Sequence, residues 1–197
     1  MKDMHGEKFG FVKHITYSEI TECLMNQALD ISTYKDLFRE KIVGFRLEHA
    51  GLVHIPCTIT KQWFLIVANF MDKCFDVLNP SQNTDLISDA TNDVVHNFKE
   101  LFSVSYPHCP NFNIFEFKVR HVDVPKQNFK FDSGFFILLF MQFYNGLEVP
   151  NFSNDDLPAI KRKPMYQIVT NKYNTAKQSK RIKDFIVKYV CTFSMNS

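Results

Sequence analysis

Trp63-Phe64-Leu65-Ile66-Val67-Ala68-Asn69-Phe70 is an almost unbroken apolar run, followed by Met71-Asp72-Lys73 and then by Cys74-Phe75-Asp76-Val77-Leu78. Two short greasy runs joined by a polar triplet read as a central β-hairpin, both strands buried. Asn79-Pro80-Ser81 then breaks the chain. Just before it, Leu52-Val53-His54-Ile55 reads as another buried strand, which Pro56 is expected to stop. Moving outward, the period changes. Thr16 with Glu19 reads as a capping box, and Ile20, Cys23, Leu24 and Ala28 recur at helical spacing after it. A second helix is expected over Asp36 to Leu47, interrupted by Gly44. Beyond the hairpin, Val94, Val95, Phe98, Leu101 and Phe102 mark one apolar helix face. Phe112 to Val119 alternates like a strand. Ser133 to Tyr144 is long enough to be a buried helix, opened at Asp132 and stopped at Asn145-Gly146. Ser153 with Asp156 opens a further helix that Pro164 should kink or divide, and Ile182 to Phe193 forms an amphipathic last one. Helices, a strand-rich centre, a buried helix and a helical tail make an α+β domain.

Composition narrows the class. The chain has 197 residues, 45% hydrophobic and 22% charged, which is globular rather than disordered. Its 21 phenylalanines give a core of large area with no polar handles. A net charge of +2 is too mild to name a polyanionic partner, so nucleic acid is not expected. Five cysteines, odd in number and widely spaced, fit free thiols in a reducing compartment rather than a disulfide or zinc framework. His108-Cys109 is too little for a metal site, and no cofactor is expected. The longest greasy run, Gly134 to Met141, is far short of a membrane span, and Met1 to Lys13 lacks the apolar core of a signal peptide. The expectation is a protein of the nucleus or cytoplasm that is not secreted and has no membrane partner. Between Lys161 and Lys188, nine Lys/Arg face one acid, Asp184, which reads first as a solvated face and second as a nuclear-import or acidic-partner patch.

Three segments carry a resemblance. His54-Ile55-Pro56 with Gln62-Trp63-Phe64-Leu65-Ile66-Val67, then Val77-Leu78-Asn79-Pro80-Ser81, then Val124-Pro125-Lys126-Gln127-Asn128-Phe129-Lys130-Phe131-Asp132-Ser133-Gly134-Phe135-Phe136 resemble, in order and spacing, the SUMO-specific (ubiquitin-like-protein-specific) cysteine proteases. Met141 to Gly146 and Phe152 to Asp156 are similar to the plant, transposon-associated branch. The resemblance covers roughly Gly51 to Asn171 and implies a papain-like cysteine-peptidase fold, a central mixed sheet flanked by helices. It divides the chain into a helical segment over 1–50, a protease-like domain over 51–174 and a basic amphipathic helix over 175–197.

The same resemblance places the catalytic histidine at Gln62, its orienting aspartate at Asn79 and the nucleophilic cysteine at Ser133. It puts the oxyanion glutamine at Gln127 and the tryptophan of the glycine-tail channel at Trp63. All three triad positions are therefore substituted. A hydroxyl is far less acidic than a thiol and needs a base, and an amide accepts no proton near neutral pH. What remains after triad loss is about 10³–10⁴-fold over water, from oxyanion contacts and binding. The residues imply a pseudoprotease acting by protein binding, with SUMO or another ubiquitin-like protein as partner. Two other readings stand beside it. One is a hydrolase using Ser133 with a surrogate base, for which His49, His54 and His121 are the candidates. The other is an interaction module unrelated to SUMO. Gln62, Asn79 and Ser133 are also expected to bond one another as a satisfied polar cluster, and Trp63 and Gln127 read equally well as core packing and a loop brace.

Overall fold

A computed structural model of the chain describes residues 12–15, 18–129, 131–171 and 179–194, in two compact units, 1–151 and 152–197. The first holds a five-stranded mixed sheet in the order β1 (Lys13–His14), β2 (Leu52–Ile59), β3 (Gln62–Asn69), β4 (Cys74–Leu78), β5 (Lys118–Val122). β2, β3 and β4 run antiparallel in sequence, while β1 and β5 join the two edges in parallel. The helices of this unit are α1 (Ser18–Leu24), α2 (Ile31–Tyr34), α3 (Glu40–Val43), α4 (Asp85–Ser105) and α5 (Ser133–Phe143). The second unit holds α6 (Leu157–Thr170) and α7 (Lys180–Ser194). The α+β class and the mixed sheet flanked by helices are as the sequence implied.

Alternation along the strands explains why the hairpin is greasy on both sides. Phe64, Ile66, Ala68, Phe75 and Val77 point to one face, where they share a core with Ile20 and Leu24 of α1 and with Val94, Phe98 and Phe102 of α4. Leu65, Val67 and Leu78 point to the other, which α5 covers. Phenylalanines dominate the first core: Phe98 stacks on Phe102 and meets Phe75 edge-on.

Several expectations need correction. β2 does not stop at Pro56. It continues to Ile59, because β1 pairs only with Val53 and His54 and the proline stands on an otherwise open edge where its missing N–H costs no ladder bond. α1 ends at Leu24, so Ala28 lies beyond it, and Asn97 of α4 takes up the carbonyls of Leu24 and Asn26. Thr16, the expected cap, lies outside the described residues. Asp36 to Leu47 is not one helix. α2 is capped by Asp30, α3 ends where Gly44 turns left-handed at φ 83°, and a 3₁₀ turn over Leu47–His49 follows. Phe112 to Val119 is not one strand either: a 3₁₀ turn over Ile114–Glu116 precedes β5. α6 runs through Pro164 as one element, and Ser153 donates to Asp156 from both backbone and hydroxyl before it starts. Within the first unit, residues on both sides of Gly51 share one sheet and one core.

Asp76 is the polar exception on the α5 face. Fully buried, its carboxylate accepts from Arg120 Nε, from Asn69 Nδ2 at 2.9 Å, from the Tyr144 hydroxyl at 2.9 Å and from the Cys74 thiol at 3.4 Å. Burial and the adjacent carboxylate push the Tyr144 hydroxyl well above its usual range, and they push the Cys74 thiol up to about 12. Both therefore remain protonated donors. Gly146 closes the group at φ 93°, where a Cβ would meet Asn69 Nδ2 at 3.1 Å and Leu52 Cδ2 at 3.3 Å. Gly146→Ala is expected to cost about 2–3 kcal/mol through left-handed strain and this crowding, read as a fall of roughly 5–10 °C in Tm by calorimetry. An unchanged Tm would show that the turn relaxes freely.

Candidate functional site

Extending the pairing Leu65↔Leu78 by two places brings Trp63 opposite Pro80, so the start of β3 and the end of β4 lie side by side. The loop after β5 returns to the same place: Gln127 N–H donates to Pro80 C=O at 2.8 Å, and Lys126 Nζ donates to Asn79 C=O at 2.8 Å. α5 begins there with Ser133, whose Oγ accepts from Trp63 N–H at 3.1 Å. Four separate segments thus converge on one end of the sheet. They carry all five candidate residues.

Their side chains do not form the mutual cluster expected of Gln62, Asn79 and Ser133. Asn79 turns back into its own loop, accepting from Ser81 N–H at 2.9 Å and donating to Asn83 C=O at 3.4 Å. Ser133 is only 1% exposed, and its side chain bonds the Trp63 backbone. Gln62 pairs with Gln127 instead, the Nε2 of Gln127 donating to the Oε1 of Gln62 at 2.8 Å with both residues buried. Backbone groups satisfy Asn79 and Ser133 because they are the nearest partners once the loop closes. This leaves Gln127 Oε1 buried without a hydrogen-bond partner. Trp63 is neither wholly core nor wholly free: it is 40% exposed, and its ring lies over Gly134, whose missing Cβ would sit 3.6 Å from Cδ1. Phe129 and Phe131, on the loop leading into α5, are 69% and 77% exposed.

The three surrogate bases are all misplaced. His54 stands opposite Val67, five residues along β3 from Gln62, which is about 17 Å. His121 pairs with Val77 and so points to the α4 face, away from α5. His49 precedes β2 at the opposite end of the sheet, with Nε2 3.8 Å from Glu48. Burial pushes the Cys57 thiol, on β2, far above its ordinary value, so it stays protonated. Among the described residues no group of three His, Cys, Asp or Glu is placed to hold a metal ion, and no helix is long and apolar enough to cross a membrane.

Comparison with solved structures places the fold. The SUMO protease Ulp1 with its catalytic cysteine oxidised to a sulfenic acid superposes with a TM-score of 0.55 at 16% identity, over 68% of this chain and 60% of that one. The C-terminal Ulp1 protease domain in complex with Smt3, the yeast ortholog of SUMO, gives 0.60 at 13% identity, over 76% and 64%. The sulfonic-acid form of Ulp1 gives 0.54 at 14% identity, over 72% and 68%. The fold is that of the Ulp1 SUMO proteases, and this chain spans about 60–64% of the length of the first two. No protein-family model matches the sequence, and no curated protein matches it.

Proposed function

We propose that this chain is a catalytically inactive relative of the SUMO-type cysteine proteases that acts by binding a ubiquitin-like protein, SUMO first among them. The observation that carries the reading is the buried Gln62–Gln127 amide pair. One carboxamide stands where the resemblance puts the base, and it holds the N–H of the residue where an oxyanion donor is expected. Beside them the Ser133 hydroxyl is buried, and among the described residues no imidazole is in reach. General-base attack needs a proton acceptor at hydrogen-bond distance from the nucleophile, and oxyanion stabilisation needs a free donor. In this reading the described residues supply no such acceptor, and one of the two N–H donors of Gln127 Nε2 is already taken by Gln62.

Binding is a separate matter, because a protein groove does not need a triad. Trp63, 40% exposed over Gly134, and the exposed Phe129 and Phe131 of the loop leading into α5 support retained recognition: exposed aromatics are the side chains that most often anchor protein interfaces. The Ulp1 domain solved with Smt3 shares this fold, which makes SUMO the first partner to try. Descent from the plant, transposon-associated branch and an intracellular setting, nuclear or cytoplasmic, belong to the same proposal. The domain assignment does too, with 51–174 as the binding body.

The test is an NMR titration of the full chain with SUMO and a panel of other ubiquitin-like proteins, following the single indole signal of Trp63. Saturable shifts with one member, weakened about tenfold or more by Trp63→Ala, are expected. A well-folded sample whose indole signal moves with no member would overturn the binding half of the proposal.

A further inference from the structure

The first strand meets the sheet through two histidines. β1 and β2 pair in register His14↔His54, and the rings lie edge to face with centroids 4.9 Å apart. His54 is fully buried, and both of its ring nitrogens lack a hydrogen-bond partner. The Nδ1 of half-buried His14 lacks one as well. Three orphaned imidazole nitrogens at one strand junction are unusual, since buried polar atoms are nearly always satisfied. They are tolerable only while both rings are neutral.

Among the described residues the surroundings offer a cation nothing. Directly across from His54 on β3 is Val67, flanked on that face by Leu65 and Asn69. The covering helix α5 buries Phe136, Ile137, Leu139 and Phe140. The nearest carboxylate in the same row is Asp76, two strands away, already taken by Arg120, Asn69 and Tyr144. From β1 the facing group is His14 itself, whose charge would repel a second one.

We infer that the His14–His54 pair is an acid-sensitive latch that keeps the N-terminal strand docked on the sheet when neutral and releases it on protonation. β1 is held by little else. Ile15 N–H donates to His54 C=O at 2.9 Å, the Ile15 side chain enters the main core, and Lys13 Nζ lies 5.6 Å over the Phe45 ring. Release withdraws Ile15 and uncovers the outer edge of β2, which becomes a free strand edge for another chain. The device is independent of what the Ser133 site binds.

The sign follows from linkage. Burial, and then the neighbouring His14, lower His54 from 6.5 to about 3, and burial lowers His14 too. A group with a depressed histidine pKa stabilises the docked state fully above the undocked value. That contribution is lost as pH falls from 6.5 toward 3. Where release exposes the His54 ring to water and returns it to 6.5, the ratio of docked to released strand drops about tenfold between pH 7.5 and 5.5.

The experiment is amide hydrogen exchange by NMR on the full chain. Protection factors for Ile15 and Val67 are compared at pH 7.5 and 5.5 after correction for intrinsic exchange. Ile15 should lose about tenfold while Val67, in the sheet centre, keeps its protection. His54→Phe keeps the bulk and removes the titration, so the pH dependence at Ile15 should vanish. If that variant does not fold, His54→Leu, which also removes the titrating ring, serves the same purpose. Equal Ile15 protection at both pH values, a parallel loss at Val67, or a pH dependence that persists in the folded variant would each overturn the latch.

Discussion

Ser133→Cys alone is expected to leave the protein unable to cleave a SUMO C-terminal fusion, whereas Gln62→His, Asn79→Asp and Ser133→Cys together should raise turnover at least 10³-fold over the single change. The expectation rests on what each side chain now does. A thiol at position 133 would stand at the first turn of an 11-residue helix, where the dipole favours a thiolate. It would still find a carboxamide at Gln62 and, among the described residues, no imidazole in reach. Replacing Gln62 changes two things at once: it supplies the base, and it frees the Gln127 Nε2 that the Gln62 amide now occupies. An aspartate at 79 keeps the bond from Ser81 N–H and gains the charge that orients and stabilises a histidinium. Triad members act as a unit, so partial restoration should return little of the 10⁶ or so that a full triad contributes.

The measurement is steady-state cleavage of the fusion by the single, double and triple variants, with folding checked by Tm. Turnover by Ser133→Cys equal to that of the triple would mean that Gln62 is not the vacant base. Silence from all variants, alongside intact SUMO binding, would place the loss in backbone geometry rather than in the three side chains.

How far the fold could be read beforehand depended on whether local signals and tertiary partners agreed. β3, β4 and α5 were legible because their length and apolarity are the physical cause of their burial. The alternation over Phe112 to Val119 misled because, ahead of β5, the backbone is satisfied by a 3₁₀ turn and by side chains instead of a ladder. Asn113 accepts from Phe115 N–H, and the Lys99 ammonium takes the carbonyls of Phe115 and Phe117 at 3.3 and 2.7 Å. Pro56 misled because a stop signal in a paired strand is harmless on an open edge. At the candidate site, the family resemblance sufficed to name Gln62, Asn79, Gln127 and Ser133 as neighbours, yet not their bonds. The Gln62–Gln127 pair joins residues 65 apart and depends on side-chain direction. The histidine junction and the Asp76 group were missed. Each couples residues whose sequence context carries no motif, and an isolated aspartate in an apolar strand signals a buried partner without saying which.

Arg120→Met is expected to be the most damaging single change outside the core, costing about 2–4 kcal/mol. Asp76 is wholly buried, and among the described residues Arg120 supplies the one cation in direct hydrogen bond to it, from Nε, while Nη2 reaches Asp72 at 2.9 Å and Gly146 C=O at 3.4 Å. Removing one member of a buried ion pair typically costs 3–5 kcal/mol, because the remaining charge stays desolvated. Two features moderate this. The Arg120 side chain is 45% exposed, so part of its attraction is screened, and Asn69 and Tyr144 continue to donate to the carboxylate. The opposite truncation should cost less. Asp76→Asn leaves a half-exposed guanidinium that water and Asp72 can satisfy, and the amide still accepts a bond. The order Arg120→Met worse than Asp76→Asn is the discriminating result, read from urea midpoints at constant m. Equal costs would mean that the pair contributes through shape alone. A double variant no worse than Arg120→Met would show that the penalty was the stranded carboxylate, which is what burial at the centre of this sheet predicts.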